Sequence, residues 1–264
     1  MSEAQGRWSD LTARIGSGVV MVAIGLGAVL AGGPVFRILL ALLCGAMVWE
    51  LVRMLTPKHR TVAKQLGMLC AMAVLAAIYV PGIFVLPLLL APLCVGISLI
   101  PQHKWMFAGF AALILFASWE LMWLRSAAGV FWLLWLVLVV AASDILGYFA
   151  GRILGGPKFW PQVSPKKTWS GTIAGWVGAA IVGALFMSRL DVGLTLVALS
   201  IATAFAAQMG DIAESAIKRR VGVKDSSNLI PGHGGLLDRF DGMIGAGVFV
   251  FLSSAVLNIP AGAG

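Results

Sequence analysis

The stretch from Ser215 to Gly242, SAIKRRVGVKDSSNLIPGHGGLLDRFDG, gathers Lys, Arg, Asp, His and Gly in a chain that is otherwise 60% hydrophobic and only 11% charged. On its approach, QMGDIAESAIKRR, the residues Gln208, Asp211, Ser215 and Lys218 follow at steps of three and four. One helix face therefore carries amide, acid, hydroxyl and cation, with Glu214 beside them and Arg219 after. A loop follows with Lys224 and Asp225, then PGHGG, where His233, Gly234 and Gly235 allow a tight backbone and close ligand approach. Asp238 and Asp241, with Arg239 between them, stand three apart in the first turn of the last helix. Capping of the helix dipole accounts for one of these aspartates but not for both.

Two further polar clusters precede this one. In ASDILGYFAGRILGG, Asp144, Gly147, Tyr148, Gly151 and Arg152 share a helix face. Asp144 ends an apolar run, where an ionisable group needs a partner or a wet cavity. An Asp144–Arg152 pair closing the helix is the plain alternative. In PQVSPKKTWSGT, Pro161 and Pro165 predict a loop rather than a helix. Lys166 and Lys167, then Thr168, Ser170 and Gly171 at a helix start, offer cations and free N–H groups to a phosphate. Alternatively, the two lysines only anchor the neighbouring span.

Carboxylates on helix ends with Lys and Arg between them suit Mg²⁺ and a polyphosphate, because Mg²⁺ takes one or two carboxylates together with phosphate oxygens. The cations neutralise oxygens that the metal does not reach. His233 has no second His or Cys nearby, so zinc is not favoured. The chemistry expected is metal-assisted phosphoryl or nucleotidyl transfer, with Asp211, Asp238 and Asp241 as metal ligands.

These residues must be held by membrane helices. The 264 residues have a mean hydropathy of +0.96 and far fewer charges than the roughly 25% of a soluble domain. The fold class expected is all-α, a polytopic membrane bundle of about nine transmembrane helices. The runs lie near residues 15–31, 35–55, 65–80, 83–100, 105–124, 127–147, 171–187, 192–208 and 243–257. The break at Pro81-Gly82 is the least defined, since Pro87 and Pro92 follow within the fourth run. The first run has no convincing cleavage site and reads as a span.

With the N-terminus cytoplasmic, sixteen of the nineteen Lys and Arg fall on the inner side, leaving Arg37, Arg125 and Arg189 outside. This is the asymmetry of the positive-inside rule. The net charge of +8 then reflects anchoring beside anionic lipid, and nucleic acid is not expected as a partner. Polarity divides the chain into a scaffold of about six spans, residues 1–142, and a region carrying the chemistry, residues 143–264. Cys44, Cys70 and Cys94 read as small apolar filler.

The pattern Ser215-x-Ile217-Lys218-Arg219, Lys224-Asp225, Ser227, Ile230-Pro231, His233-Gly234-Gly235-Leu236, Asp238-Arg239-Phe240-Asp241 resembles the signature of the phosphatidate cytidylyltransferases (CDP-diacylglycerol synthases). SDILGYFAGR, SPKKTWSG and QMGDIAES also resemble segments of that family in the same order; Ser170 stands where relatives often carry an acid. The earlier spans resemble the family in hydropathy alone.

The resemblance implies CTP + phosphatidic acid → CDP-diacylglycerol + pyrophosphate, dependent on Mg²⁺ and assisted by a monovalent cation such as K⁺. It also implies a homodimer in the bilayer, in a bacterial inner membrane, with a polar cavity facing the cytoplasm. The attacking phosphate monoester, with a second pKa near 6, is already largely dianionic and needs no general base. Asp144 is then an auxiliary acid or ligand. Lys166, Lys167, Thr168, Ser215, Lys218, Arg219, Lys224, Asp225, His233, Gly234, Gly235 and Arg239 are expected around triphosphate or lipid phosphate. Three rival readings remain. One is a CTP transferase acting on ether lipid; another is a cation-coupled transporter, disfavoured because the charges cluster at one face. A CDP-alcohol phosphotransferase would need an Asp-Gly-Ala-Arg type repeat that is missing.

Overall fold

The computed structural model describes the backbone of residues 3–230 and 232–257, and side chains from Ile15 to Ser254 with Pro231 excepted. The side chains of Arg7 and Arg14 in the charge count, and Pro231 of the loop, lie outside the described residues. Nine α-helices are present among those described: α1 Glu3–Ala31, α2 Gly33–Leu55, α3 Arg60–Ala77, α4 Gly82–Leu99, α5 Lys104–Trp123, α6 Val130–Ile153, α7 Trp169–Phe186, α8 Thr195–Val221 and α9 Leu237–Leu257. They follow the nine apolar runs. Seven, α2 to α8, are long and apolar enough to cross a membrane, α5 being extended by a π-helical turn at Leu124–Ala128. The apolar part of α1, Ile15–Ala31, is shorter, and α9 opens with Asp238, Arg239 and Asp241. The protein is thus a multi-pass membrane protein, and nine is an approximate count of its spans.

The sequence left the break at Pro81-Gly82 undefined. α3 ends at Ala77, a turn follows, and α4 starts at Gly82 with Pro87 and Pro92 inside it. The segment expected as a loop before α7 contains an antiparallel hairpin, β1 Lys158–Trp160 with β2 Ser164–Thr168. Pro165 is tolerated because a two-stranded ribbon is all edge, with no ladder on its outer side.

Two compact units divide the chain. The first comprises residues 1–111 and 223–240, the second residues 112–222 and 241–264. The partition by polarity at residue 143 follows a different property from this division.

In the first unit, α2 and α3 cross at glycines. A Cβ on Gly45 would lie 2.8 Å from the carbonyl of Gly67, and one on Gly67 would lie 2.6 Å from that of Gly45. Small residues let backbones touch where lipid supplies no hydrophobic drive between helices. Cys44, Val48, Leu51, Leu66, Cys70 and Val74 are fully buried around this crossing, so two of the three cysteines are the expected apolar filler. Cys94 is exposed.

In the second unit, α7 is the glycine-rich element that α6 and α8 close upon. A Cβ on Gly171 would lie 2.5 Å from the carbonyl of Gly147, and one on Gly183 would lie 2.5 Å from Ser200 Oγ. The α8–α9 seam is as tight, with Gly210 against the carbonyl of Asp241 (2.3 Å to an added Cβ) and Gly245 against that of Ala206 (2.2 Å). That seam is what places Asp211 beside Asp241.

Candidate active site

The second unit holds a cavity of about 450 Å³ lined by Ser143, Asp144, Tyr148, Arg152, Lys166, Lys167, Thr168, Gln208 and Asp211, with glycines of α6 and α7. Its floor is a hydrogen-bonded amide. Gln208 on α8 accepts from Trp176 Nε1 (3.1 Å) and donates to Ser143 Oγ and the Thr172 carbonyl (3.3 Å each). Gly175 makes room for it, since a Cβ there would lie 2.8 Å from Gln208 Nε2.

Above the amide, the helix face read from the sequence is realised. Lys167 on β2 lies 2.5 Å from Asp211 Oδ2 and donates to the Gln208 carbonyl at 3.3 Å. Ser215 Oγ donates to Asp211 Oδ1 at 3.3 Å, and Lys218 pairs with the fully buried Glu214 one turn before it. Arg219 is exposed near the end of α8, which Gly222 terminates in a left-handed conformation.

Three carboxylates converge here. Asp144 interacts electrostatically with both Lys167 and Asp211. A Cβ on Gly242 would lie 3.8 Å from Asp144 Oδ2, which puts α6 next to the start of α9. Asp241 precedes the apolar run at 243–257. Burial first, then the Asp211 and Asp144 carboxylates, push its carboxyl above the usual range, against the lowering by the Gly242 N–H and Lys218. Among the described residues no three carboxyl, imidazole or thiol groups form a ready-made metal cage. An incomplete set of acids that repel one another fits Mg²⁺, which keeps water and phosphate oxygens among its ligands.

The phosphate cradle expected at Lys166–Gly171 is partly occupied by the fold. Thr168 is the N-cap of α7, its hydroxyl accepting from Gly171 N–H at 3.3 Å and contacting Ser170 Oγ at 3.0 Å. Lys166 lines the cavity, and Arg152 donates to Tyr148 Oη at 2.8 Å.

The glycine-rich loop belongs to the first unit. Lys224, Asp225, Asn228, His233, Gly234 and Arg239 surround a cleft of about 350 Å³. His233 Nδ1 is hydrogen-bonded to Ser17 Oγ of α1 at 2.9 Å, and Arg239 Nε donates to the His233 carbonyl at 3.1 Å. Asp238 Oδ2 accepts from Ser226 N–H (2.9 Å), Ser226 Oγ (2.9 Å) and Gly235 N–H (2.8 Å). That oxygen organises the loop, while Asp241 faces Asp144 and Asp211. The sequence had given both aspartates one role.

Sequence reasoning missed Glu50 and Ser226. Glu50 falls within the scaffold that polarity marks out, yet its carboxylate is fully buried against this loop. The available signal was its position, because an acid inside an apolar helix is expensive unless it serves a partner.

Comparison with known proteins identifies the family. The profile of the cytidylyltransferase family matches residues 12–257. The phosphatidate cytidylyltransferase of Brucella abortus biovar 1 (strain 9-941) is 41% identical over 163 residues, covering 61% of this chain and 58% of that protein. The phosphatidate cytidylyltransferase of Haemophilus influenzae is 42% identical over 125 residues, 45% of this chain and 43% of that one. That of Bacillus subtilis is 36% identical over 133 residues, 49% of each. The match thus spans about half the length of these curated relatives, and the family profile reaches across nearly all of the present sequence: the chain belongs to the cytidylyltransferase family.

Proposed function

We propose that the protein transfers the cytidylyl group of CTP to phosphatidic acid, forming CDP-diacylglycerol and releasing pyrophosphate, at the cytoplasmic face of a bacterial inner membrane. The observation that carries this reading is the convergence of Asp144, Asp211 and Asp241 with Lys167 and Lys218 in a membrane-helix protein. Family membership and relatives named phosphatidate cytidylyltransferase support the substrates. Asp211 and Asp241, with Asp144 nearby, are the residues that would hold Mg²⁺, and bound there it would neutralise charge on the triphosphate. Asp238 is proposed for that set from its place in the signature, with K⁺ as a further cation.

The chain's own residues supply the rest. Lys167, already aligned by Asp211 and the Gln208 carbonyl, presents its ammonium to an anionic oxygen at the cavity wall. Lys166 lines the same wall, while the hydrogen-bonded Gln208 ties α6 and α7 to α8 beneath it. Since the attacking phosphate is largely dianionic, these groups orient and neutralise, and no side chain has to take a proton. A homodimer in the bilayer is part of the same reading.

The test is conversion of labelled CTP and phosphatidic acid to CDP-lipid by the purified protein, with Mg²⁺ and with a chelator. Product that forms only with Mg²⁺ supports the reading. No product from ester or ether phosphatidate with any nucleotide triphosphate sinks it, and preference for the ether substrate redirects it.

A further inference from the structure

The geometry points to Glu50 as a positioning residue that closes the glycine-rich loop at both ends and so sets the cleft formed by Asp225, His233 and Arg239. Glu50 lies near the end of α2, fully buried. Its Oε1 accepts from Ser227 Oγ (2.5 Å) and Leu236 N–H (3.0 Å). Its Oε2 accepts from Leu237 N–H (2.7 Å) and contacts Ser226 Oγ (3.3 Å). One carboxylate thus ties Ser226 and Ser227, where the loop begins, to Leu236 and Leu237, where it ends.

The two backbone donors belong to the start of α9, whose first N–H groups have no partner within the helix. A carboxylate at that position is the acceptor a helix start favours, here supplied by a residue far away in sequence. Ser226 Oγ has one proton and two carboxylate neighbours. The shorter contact, 2.9 Å to Asp238 against 3.3 Å to Glu50, makes Asp238 its acceptor. Asp238 is then an inner clamp and Glu50 an outer one. Packing seals the arrangement, because a Cβ on Gly235 would lie 1.9 Å from Ser226 Oγ and 2.7 Å from Glu50 Oε1.

Between the clamped ends the loop holds His233, and the cleft walls carry Lys224 and Arg239, cations suited to triphosphate oxygens. Glu50 touches none of that cleft. It acts through the loop, so its loss shows as weaker nucleotide capture rather than altered lipid capture. This kinetic expectation rests on the cytidylyl-transfer reading; the structural one does not.

The experiment uses the full chain in detergent micelles, comparing wild type with Glu50→Gln and Ser227→Ala. Hydrogen–deuterium exchange follows residues 226–237, and steady-state kinetics vary CTP and phosphatidic acid separately. Glu50→Gln turns an amide NH₂ toward N–H donors. It is expected to speed exchange of Leu236 and Leu237 roughly tenfold, the equivalent of one lost buried hydrogen bond. The interior of α2 stays unchanged, the KM for CTP rises at least tenfold, and the KM for phosphatidic acid stays within twofold. Ser227→Ala, which removes one donor and leaves the carboxylate, moves both readouts in the same direction by a smaller factor.

Unchanged exchange at 226–237 in folded Glu50→Gln overturns the proposal. So does faster exchange with the KM for CTP unaltered, which reduces Glu50 to a folding residue. Should Glu50→Gln fail to fold, Ser227→Ala decides by the same two criteria. A wild type that does not turn over CTP refutes the activity reading alone, and the exchange measurement still judges Glu50.

Discussion

Lys167 Nζ lies 2.5 Å from Asp211 Oδ2, joining the hairpin before α7 to the polar face of α8. The two side chains are 25% and 35% exposed, so the pair contributes no more than about 1 kcal/mol to stability once solvent screening is counted. Its value is positional. Lys167→Met is expected to lower turnover by roughly a hundredfold, as loss of one preorganised charge does. The melting temperature should move little. Loss of expression with normal specific activity in the surviving protein would instead mark Lys167 as a membrane anchor.

The Gly210–Gly245 seam makes a prediction about metal affinity. Gly245→Ala places a methyl 2.2 Å from the Ala206 carbonyl and must push α9 away from α8. Asp241 then moves from Asp211, and on the proposed Mg²⁺-dependent cytidylyl transfer the Mg²⁺ concentration for half-maximal activity is expected to rise several-fold. Destabilisation of about 1–3 kcal/mol accompanies it, the usual consequence of overpacking. An unchanged Mg²⁺ requirement in the folded variant would separate the seam from the proposed metal site.

Gly235 is confined by side chains. Gly235→Ala sets a methyl 1.9 Å from Ser226 Oγ, and activity is expected to fall by more than tenfold. Ser226→Ala removes that oxygen. The double variant should therefore be less impaired than the sum of the two single effects, a coupling of about 0.5–3 kcal/mol in a double-mutant cycle. Strict additivity would mean that the two residues do not meet.

Glu214 is fully buried and pairs with Lys218. Lys218→Met removes that partner and is expected to reduce stability by about 3 kcal/mol, the scale for breaking a buried ion pair from one side. Denaturant unfolding in micelles measures this. Glu214→Gln combined with Lys218→Met should recover part of the loss, because a buried amide depends less than a carboxylate on the ammonium that was removed. If Lys218→Met unfolds like the wild type, the pair adds nothing measurable to stability.

How much of this was legible in the sequence follows from range. Gln208, Asp211, Ser215 and Lys218 could be placed on one face because helical spacing is local. The hairpin at Lys158–Thr168 is not legible, since Pro161 and Pro165 forbid a helix but do not forbid a two-stranded ribbon. The approach of Asp241 to Asp211 depends on Gly210 and Gly245, whose meaning appears only when the helices are seen to cross there. Glu50 was out of reach for a related reason. Its partners lie 176 to 187 residues further along, and no periodicity joins them.

That long separation bears on how the chain is made. The ribosome delivers α2 first, and the backbone groups that the Glu50 carboxyl accepts from emerge 186 and 187 residues later. Until then an acid without those partners lies within an apolar segment entering the bilayer, where an ionisable group is expensive. The nascent protein is expected to keep the end of α2 in contact with water until residues 226–237 have emerged. A chain halted before Ser226 should expose position 50 to a membrane-impermeant carboxyl reagent from which the finished protein shields it; equal labelling of both would show that closure does not depend on the late residues.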